Sequence, residues 1–313
     1  MLNRRYIRIK VFQAVYSFAQ QENISLESIR KLYQGNISKL QQAYLKILSL
    51  PVELKHFATI ELDKHQQRNF TDAKRMESYK VLSQNLTIEK IAADPGFAKS
   101  LQKSGETWQQ EWDSFHTLFD EIEQLPSYNL QRSAEPNMEA DKALLKNILV
   151  FLFDKSTVFD SLMEDSFIGW QEDKPVLLKN LGKTIDQITE NEPLKLYHLP
   201  NAEWKEIQEF GAELLEKTIG NFDEFEELIA GKTLNWDSDR IALTDSIFMK
   251  MAIAEFMFFE TIPIKVTINE YLELAKVYST PKSNSFLNGV LDNLQKEMKE
   301  QGKIVKTGRG LIG

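Results

Sequence analysis

Apolar side chains recur along most of this chain at the spacing of an α-helix, and few stretches alternate as a strand would. Tyr6 to Gln21 is predicted to form a first helix, with Ile9, Phe12, Val15, Tyr16 and Ala19 on its apolar side. Ser25 is placed to cap a second helix running to about Ser49, where Pro51 interrupts it. Trp108, Trp112, Phe115, Phe119 and Ile122 fall on one face of a predicted amphipathic helix. Pro126 to Asn137 is rich in turn-forming and helix-breaking residues and reads as the best internal linker. Further helices are expected near 138–165, 174–189, 203–219, 222–230, 239–259, 268–279 and 284–300. The fold class that follows is all-α.

Two helices near the C-terminus are the most strongly patterned. Ile268, Leu272, Ala275 and Tyr271, Leu274, Tyr278 mark a core-facing helix, and Thr267 with Glu270 forms a capping box that starts it at Ile268. A turn leads to a second helix through Ser283–Asp292, where Gly289 costs about 1 kcal/mol relative to alanine and so points to a close helix contact. A weak internal repeat pairs Phe159, Leu162, Trp170, Asp173, Lys174, Leu177 and Leu181 with Phe225, Leu228, Trp236, Asp239, Arg240, Leu243 and Ile247. Either two amphipathic helix pairs share a period by chance, or part of a helical core is duplicated.

The residues Lys265, Val266, Ile268, Asn269, Glu270, Glu273, Leu274, Ala275 and Lys276, followed by Ser283, Phe286, Asn288, Gly289, Val290, Leu291 and Asp292, resemble the C-terminal signature of the NusB family of transcription antitermination factors. The resemblance continues through Trp236, Asp239, Arg240, Asp245 and Ala254–Phe256, and returns as Arg4, Arg5, Arg8 and Val11–Ser17. It covers about 1–50 and 205–300. It implies a discontinuous NusB-like RNA-binding helical bundle from 1–50 and 205–313, with 51–204 a helical insertion, a partial duplication on one reading of the repeat.

Composition narrows the class. The chain has 313 residues and 42% hydrophobic content, sufficient for a packed core, and no run long enough for a membrane helix. It has no cysteine and no apolar stretch resembling a secretory signal, which fits a cytoplasmic protein. The net charge of −8 opposes diffuse nucleic-acid binding, but the charge is unevenly spread. Arg4, Arg5, Arg8 and Lys10 stand among the first residues without an acid. Lys299, Lys303, Lys306 and Arg309 oppose only Glu300 near the end.

Arg4, Arg5 and Arg8 occupy the span of one helical turn, where guanidinium groups reach neighbouring phosphates and stack on unpaired bases. The alternative is a solvated basic face. By the resemblance, these arginines bind boxA, a short single-stranded RNA; Lys10 stands where the family has a non-basic residue. The turn holding Lys282 and Ser283 lies along the same RNA surface by resemblance, while Phe286 either stacks on a base or packs under the turn. Three arginine contacts and one from Lys282 predict a log–log salt slope of roughly −2 to −3. Tyr16 and Phe18 read as core. Asp245 reads as an exposed acid, which the resemblance turns towards NusE, a small-subunit ribosomal protein; Glu255 reads as a partly buried structural carboxylate.

Catalysis finds little support in the residues. Glu53 and His56 form a single Glu-x-x-His where di-iron bundles need two, and His56, His65, His116 and His198 share no metal-ligand spacing. Gly308–Gly313 follows no strand and reads as a flexible tail rather than a phosphate loop. The function implied is therefore not enzymatic and needs no cofactor: an RNA-binding regulator that joins boxA, NusE and RNA polymerase in antitermination during ribosomal RNA synthesis. Two alternatives are a domain related to the N-terminal part of ribosomal RNA cytosine methyltransferases, and a protein-interaction scaffold without RNA binding.

Overall fold

The computed structural model describes residues 4–21, 24–67, 72–132, 134–196, 202–232 and 241–311, the side chains of 202–204 and 309 excepted. Among these residues there is no strand. The helices are α1 (Arg4–Gln20), α2 (Leu26–Gln66), α3 (Ala73–Ser83), α4 (Leu86–Ala92), α5 (Pro95–Ser104), α6 (Phe115–Ile122), α7 (Pro126–Gln131), α8 (Met138–Asp154), α9 (Thr157–Ser166), α10 (Trp170–Asp186), α11 (Ala202–Gly220), α12 (Phe222–Ala230), α13 (Leu243–Phe258), α14 (Ile264–Tyr278) and α15 (Ser283–Glu300). None of the described helices is long and apolar enough to cross a membrane. The chain divides into two compact units, one formed by Ser38–Leu199 and the other by Leu2–Ile37 with Pro200–Gly313. The boundary at Ile37 and Ser38 falls inside α2.

In the Ser38–Leu199 unit, the core gathers around Phe57, Tyr79, Phe115, Phe119 and Tyr128. Four expectations fail here. Pro51 does not end the second helix: α2 continues to Gln66. A proline inside a helix costs about 3 kcal/mol through one lost hydrogen bond and a clash. Burial of Ile47, Leu50, Leu54, Phe57 and Ala58 on both sides offsets that cost. In the turn before the proline, the Lys46 carbonyl accepts from Trp108 Nε1 at 2.8 Å and from Ser49 Oγ at 2.7 Å.

The segment from Trp108 to Ile122 is not one helix. A 3₁₀ turn at Trp112–Ser114 precedes α6. Trp108, Phe115, Phe119 and Ile122 are all buried, so the periodicity recorded burial correctly but not helical continuity. Pro126–Gln131, expected as linker, is α7, with Pro126 in the first turn and Tyr128 Oη donating to the Ser78 carbonyl at 2.8 Å. The helix expected over 138–165 breaks at Lys155, and Ser156 caps α9 by accepting from the Phe159 N–H at 3.1 Å.

In the second unit α13 is central. Every residue from Asp245 to Phe256 is buried, the charged Asp245, Lys250 and Glu255 among a mostly apolar set. Helices α1, α11, α12, α14 and α15 pack around it. Close approach of α11 is possible because Gly211 carries no Cβ: one there would lie 1.9 Å from Tyr33 Oη and 2.5 Å from Ile7 Cγ2. Helix α14 begins at Ile264, one turn before the predicted start. Thr267 and Glu270 are thus interior positions whose side chains serve other helices. Gly289 has open space beside it, so no close contact explains that glycine. Of the proposed repeat, Trp236, Asp239 and Arg240 lie outside the described residues.

The tail is folded. Lys306 Nζ donates to the carbonyls of Glu255 at 3.0 Å and Phe259 at 2.8 Å, and the Thr307 N–H donates to the Glu260 carbonyl at 3.1 Å. These bonds satisfy the carbonyl end of α13, where a cation is also favoured by the helix dipole. Gly310 is buried there, and a Cβ on it would fall 1.9 Å from the Glu260 carbonyl oxygen.

Candidate nucleic-acid interface

The first two turns of α1 carry all three candidate arginines, but packing sends them to different places. Arg8 points inward and is 2% exposed. Its Nε donates to Glu255 Oε1 at 2.6 Å and its Nη2 to Glu255 Oε2 at 2.8 Å. Glu255, on α13, is wholly buried and also accepts from Thr267 Oγ1 at 3.1 Å and Tyr271 Oη at 2.7 Å. Burial alone would lower the Arg8 pKa, yet the Glu255 carboxylate outweighs it and the net shift is upward. Burial, with Glu255 adding to it, also pushes the Tyr271 phenol well up. Arg8 is therefore the enclosed half of an ion pair that ties α1 to α13 and α14, and it is corrected from phosphate contact to packing element.

Arg4 and Arg5 remain at the surface. Arg4 Nη2 lies 3.2 Å from Glu206 Oε1 on α11. Its guanidinium sits 5.3 Å from the Phe210 ring centroid, while that of Arg8 sits 5.4 Å from the same ring. Phe210 thus orients two cations. Arg5 makes a two-pronged pair with Glu270 on α14, Nε to Oε2 at 2.9 Å and Nη2 to Oε1 at 2.7 Å. The Arg5 hydrogen bond holds the Glu270 carboxyl below the usual range despite burial. Glu270 also lies 3.5 Å from Arg8 Nη1.

The other sequence candidates divide similarly. Lys10 is buried, its Nζ 5.2 Å from the Tyr6 ring centroid, which takes it off the accessible face. Lys282 is exposed just ahead of α15. Ser283 is buried, its hydroxyl 2.9 Å from Ser279 Oγ and 2.8 Å from Thr280 Oγ1, so it fastens the turn. Phe286 is half-buried. Along α1, Phe12 packs 5.4 Å from Tyr278, and Tyr16, expected in the core, is 37% exposed beside it. Phe18 is half-buried against Phe222 at 5.3 Å. Because Arg5 meets Glu270 and Phe12 meets Tyr278, α1 and α14 run in the same direction with their seam leading towards Lys282.

Asp245 is not the exposed acid expected. It is 4% exposed, and its Oδ1 has no hydrogen-bond partner among the described residues. Of the C-terminal cations, Lys306 is committed to the carbonyls of α13, and burial lowers its pKa to about 8. Glu206, Glu270 and Phe210 are members of the site that the sequence reading missed in these roles. Nothing in the local spacing marks them, since each meets α1 from a segment distant in sequence.

Comparison with known proteins places this geometry. A model of the NusB family matches residues 179–296, which carry Glu206, Phe210, Glu255, Glu270 and Lys282 and begin within α10. The match does not include Arg4, Arg5 or Arg8. Transcription antitermination protein NusB of Salinibacter ruber is 40% identical over 118 residues, 38% of this chain and 74% of that protein. The protein of the same name from Chloroherpeton thalassium is 40% identical over 105 residues, 34% of this chain and 50% of that protein. That of Bacillus pumilus is 34% identical over 97 residues, 31% of this chain and 74% of that protein. No solved structure matches. With the matched segment forming the helices that hold and surround Arg8, the chain belongs to the NusB family.

Proposed function

We propose that this protein is a transcription antitermination factor that binds boxA-type single-stranded RNA together with NusE, and so promotes read-through by RNA polymerase in ribosomal RNA transcription. The supporting observation is the placement of Arg4 and Arg5: two adjacent exposed guanidiniums, on a helix whose next arginine is locked into the family segment by Glu255. Phosphates meet these cations at the surface, and Lys282 supplies a further one along the seam. The work is assembly rather than bond chemistry. The grouping of Leu2–Ile37 with Pro200–Gly313 as one unit supports reading the intervening helices as an insertion into an antitermination module.

Titrating a fluorescein-labelled boxA-type RNA with the protein, with and without NusE, tests this reading by anisotropy. With Arg8 enclosed, the expected log–log salt slope falls to roughly −1.5 to −2, from about −0.7 for each contact by Arg4, Arg5 and Lys282. The double variant Arg4→Ala, Arg5→Ala is expected to lose most of the affinity and of the slope, and NusE is expected to tighten binding by the parent. Equal RNA affinity in parent and variant would place the site elsewhere.

A further inference from the structure

The two exposed arginines already hold anions. Glu270 grips Arg5 through two hydrogen bonds, in the side-on geometry by which a guanidinium takes two phosphate oxygens, and Glu206 meets Arg4 at 3.2 Å. Both carboxylates come from the family segment, on α14 and α11. Glu255 meanwhile neutralises Arg8, so the three guanidiniums face three carboxylates and the basic start of the chain carries little free positive charge where it counts. Resting on the reading of this face as an RNA surface, we propose that Glu206 and Glu270 are internal stand-ins for phosphate, and that RNA binds by exchanging with them.

The energetics of the pairs separate exchangeable from fixed. The Arg4–Glu206 pair is open on both sides, at 42% and 72% exposed, and is weak enough for a phosphate to displace. In the Arg5–Glu270 pair the guanidinium is 44% and the carboxylate 19% exposed, so exchange there proceeds from the arginine's open side. The Arg8–Glu255 pair is enclosed, and stripping a partner from it would strand a buried charge. Exchange also leaves Glu270 accommodated, because Arg8 Nη1 remains 3.5 Å away when Arg5 turns to RNA. Glu206 returns to water, its side chain already 72% exposed. The arrangement weakens binding to every polyanion by the same device, which suits a protein whose cations must stay unoccupied until a partner or a fitting RNA adds further contacts.

The experiment compares the parent, Glu206→Gln, the double variant Glu206→Gln, Glu270→Gln, and Arg4→Ala, Arg5→Ala, each titrated into the same labelled boxA-type RNA, with thermal melts run in parallel. The double glutamine variant is expected to bind at least about twofold to thirtyfold tighter than the parent, the range for two ion pairs of the exposed kind, since the more enclosed Arg5–Glu270 pair is the stronger of the two. Glu206→Gln, at a site too exposed to affect folding, is expected to show a smaller gain of the same sign. If the parent binds through its arginines but neither glutamine variant binds tighter, the exchange is overturned and the RNA reading stands. If RNA affinity survives loss of Arg4 and Arg5, or if neither the parent nor the double glutamine variant binds, the RNA reading falls and the exchange falls with it.

Discussion

At the scale of single residues, α1 shows how little the type of a side chain says about its task. Arg4, Arg5 and Arg8 are chemically identical and lie within two turns, yet two face solvent and one is sealed against Glu255. The sealed pair predicts its own measurement. Arg8→Met keeps much of the volume but leaves the Glu255 carboxylate without its guanidinium partner, with Thr267 and Tyr271 still donating to it. Chemical denaturation is expected to show a loss of about 3–5 kcal/mol, the cost of leaving a buried charge unpaired. A double variant Arg8→Met, Glu255→Gln should recover part of it. A loss under about 1 kcal/mol for the single variant would mean that Arg8 reaches water, and it would return to the list of phosphate contacts.

At the scale of elements, periodicity located the buried positions well around α6 and in α14, and less well in α1 and at the helix boundaries. The residues chosen from 3.6-residue spacing around α6 and in α14 are mostly buried, while in α1 Phe12 and Val15 are buried, Ile9 and Ala19 half-buried and Tyr16 exposed. Pro51 and the Thr267–Glu270 pair were read from local rules that tertiary contacts override. Thr267 resembles a cap until α13 supplies Glu255 as its acceptor. The packing of α1, α2 and α11 at Gly211 gives a further test. Gly211→Ala places a methyl group 1.9 Å from Tyr33 Oη, and overpacking of this kind costs about 1–3 kcal/mol. That hydroxyl is buried without a hydrogen-bond partner among the described residues. Tyr33→Phe is therefore expected to be neutral or stabilising, and to rescue Gly211→Ala in a double-mutant cycle. Additive effects of the two substitutions would show that the methyl group is resisted by Ile7 and not by the phenol.

At the scale of the whole molecule, the chain joins distant segments into one unit, and its last residues take part. Lys306 and Thr307 bond to carbonyls at the end of α13, among them that of Glu255, whose carboxylate holds Arg8. Deleting 303–313 removes the bonds that Lys306 and Thr307 make to carbonyls at that end. The truncated protein is expected to melt lower by several degrees, for a loss of about 1–3 kcal/mol. Its RNA affinity at a temperature where it remains folded is expected to match the parent. A large loss of RNA binding with an unchanged melting temperature would instead make the tail a binding element.

The sequence by itself determined the helical class, most of the helices, and the family, because 3.6-residue periodicity and the Lys265–Lys276 and Ser283–Asp292 signatures are local records. It also marked the basic start of the chain. It did not reveal that Lys10, Ser283 and Asp245 turn inward, that Tyr16 remains at the surface, or that the tail folds back. Above all it could not pair Arg4 with Glu206, Arg5 with Glu270 and Arg8 with Glu255. Those partners come from α11, α13 and α14. The free energy of a charge depends on what surrounds it in space, and only the packing of helices from both ends of the chain decides which arginine keeps water and which is enclosed.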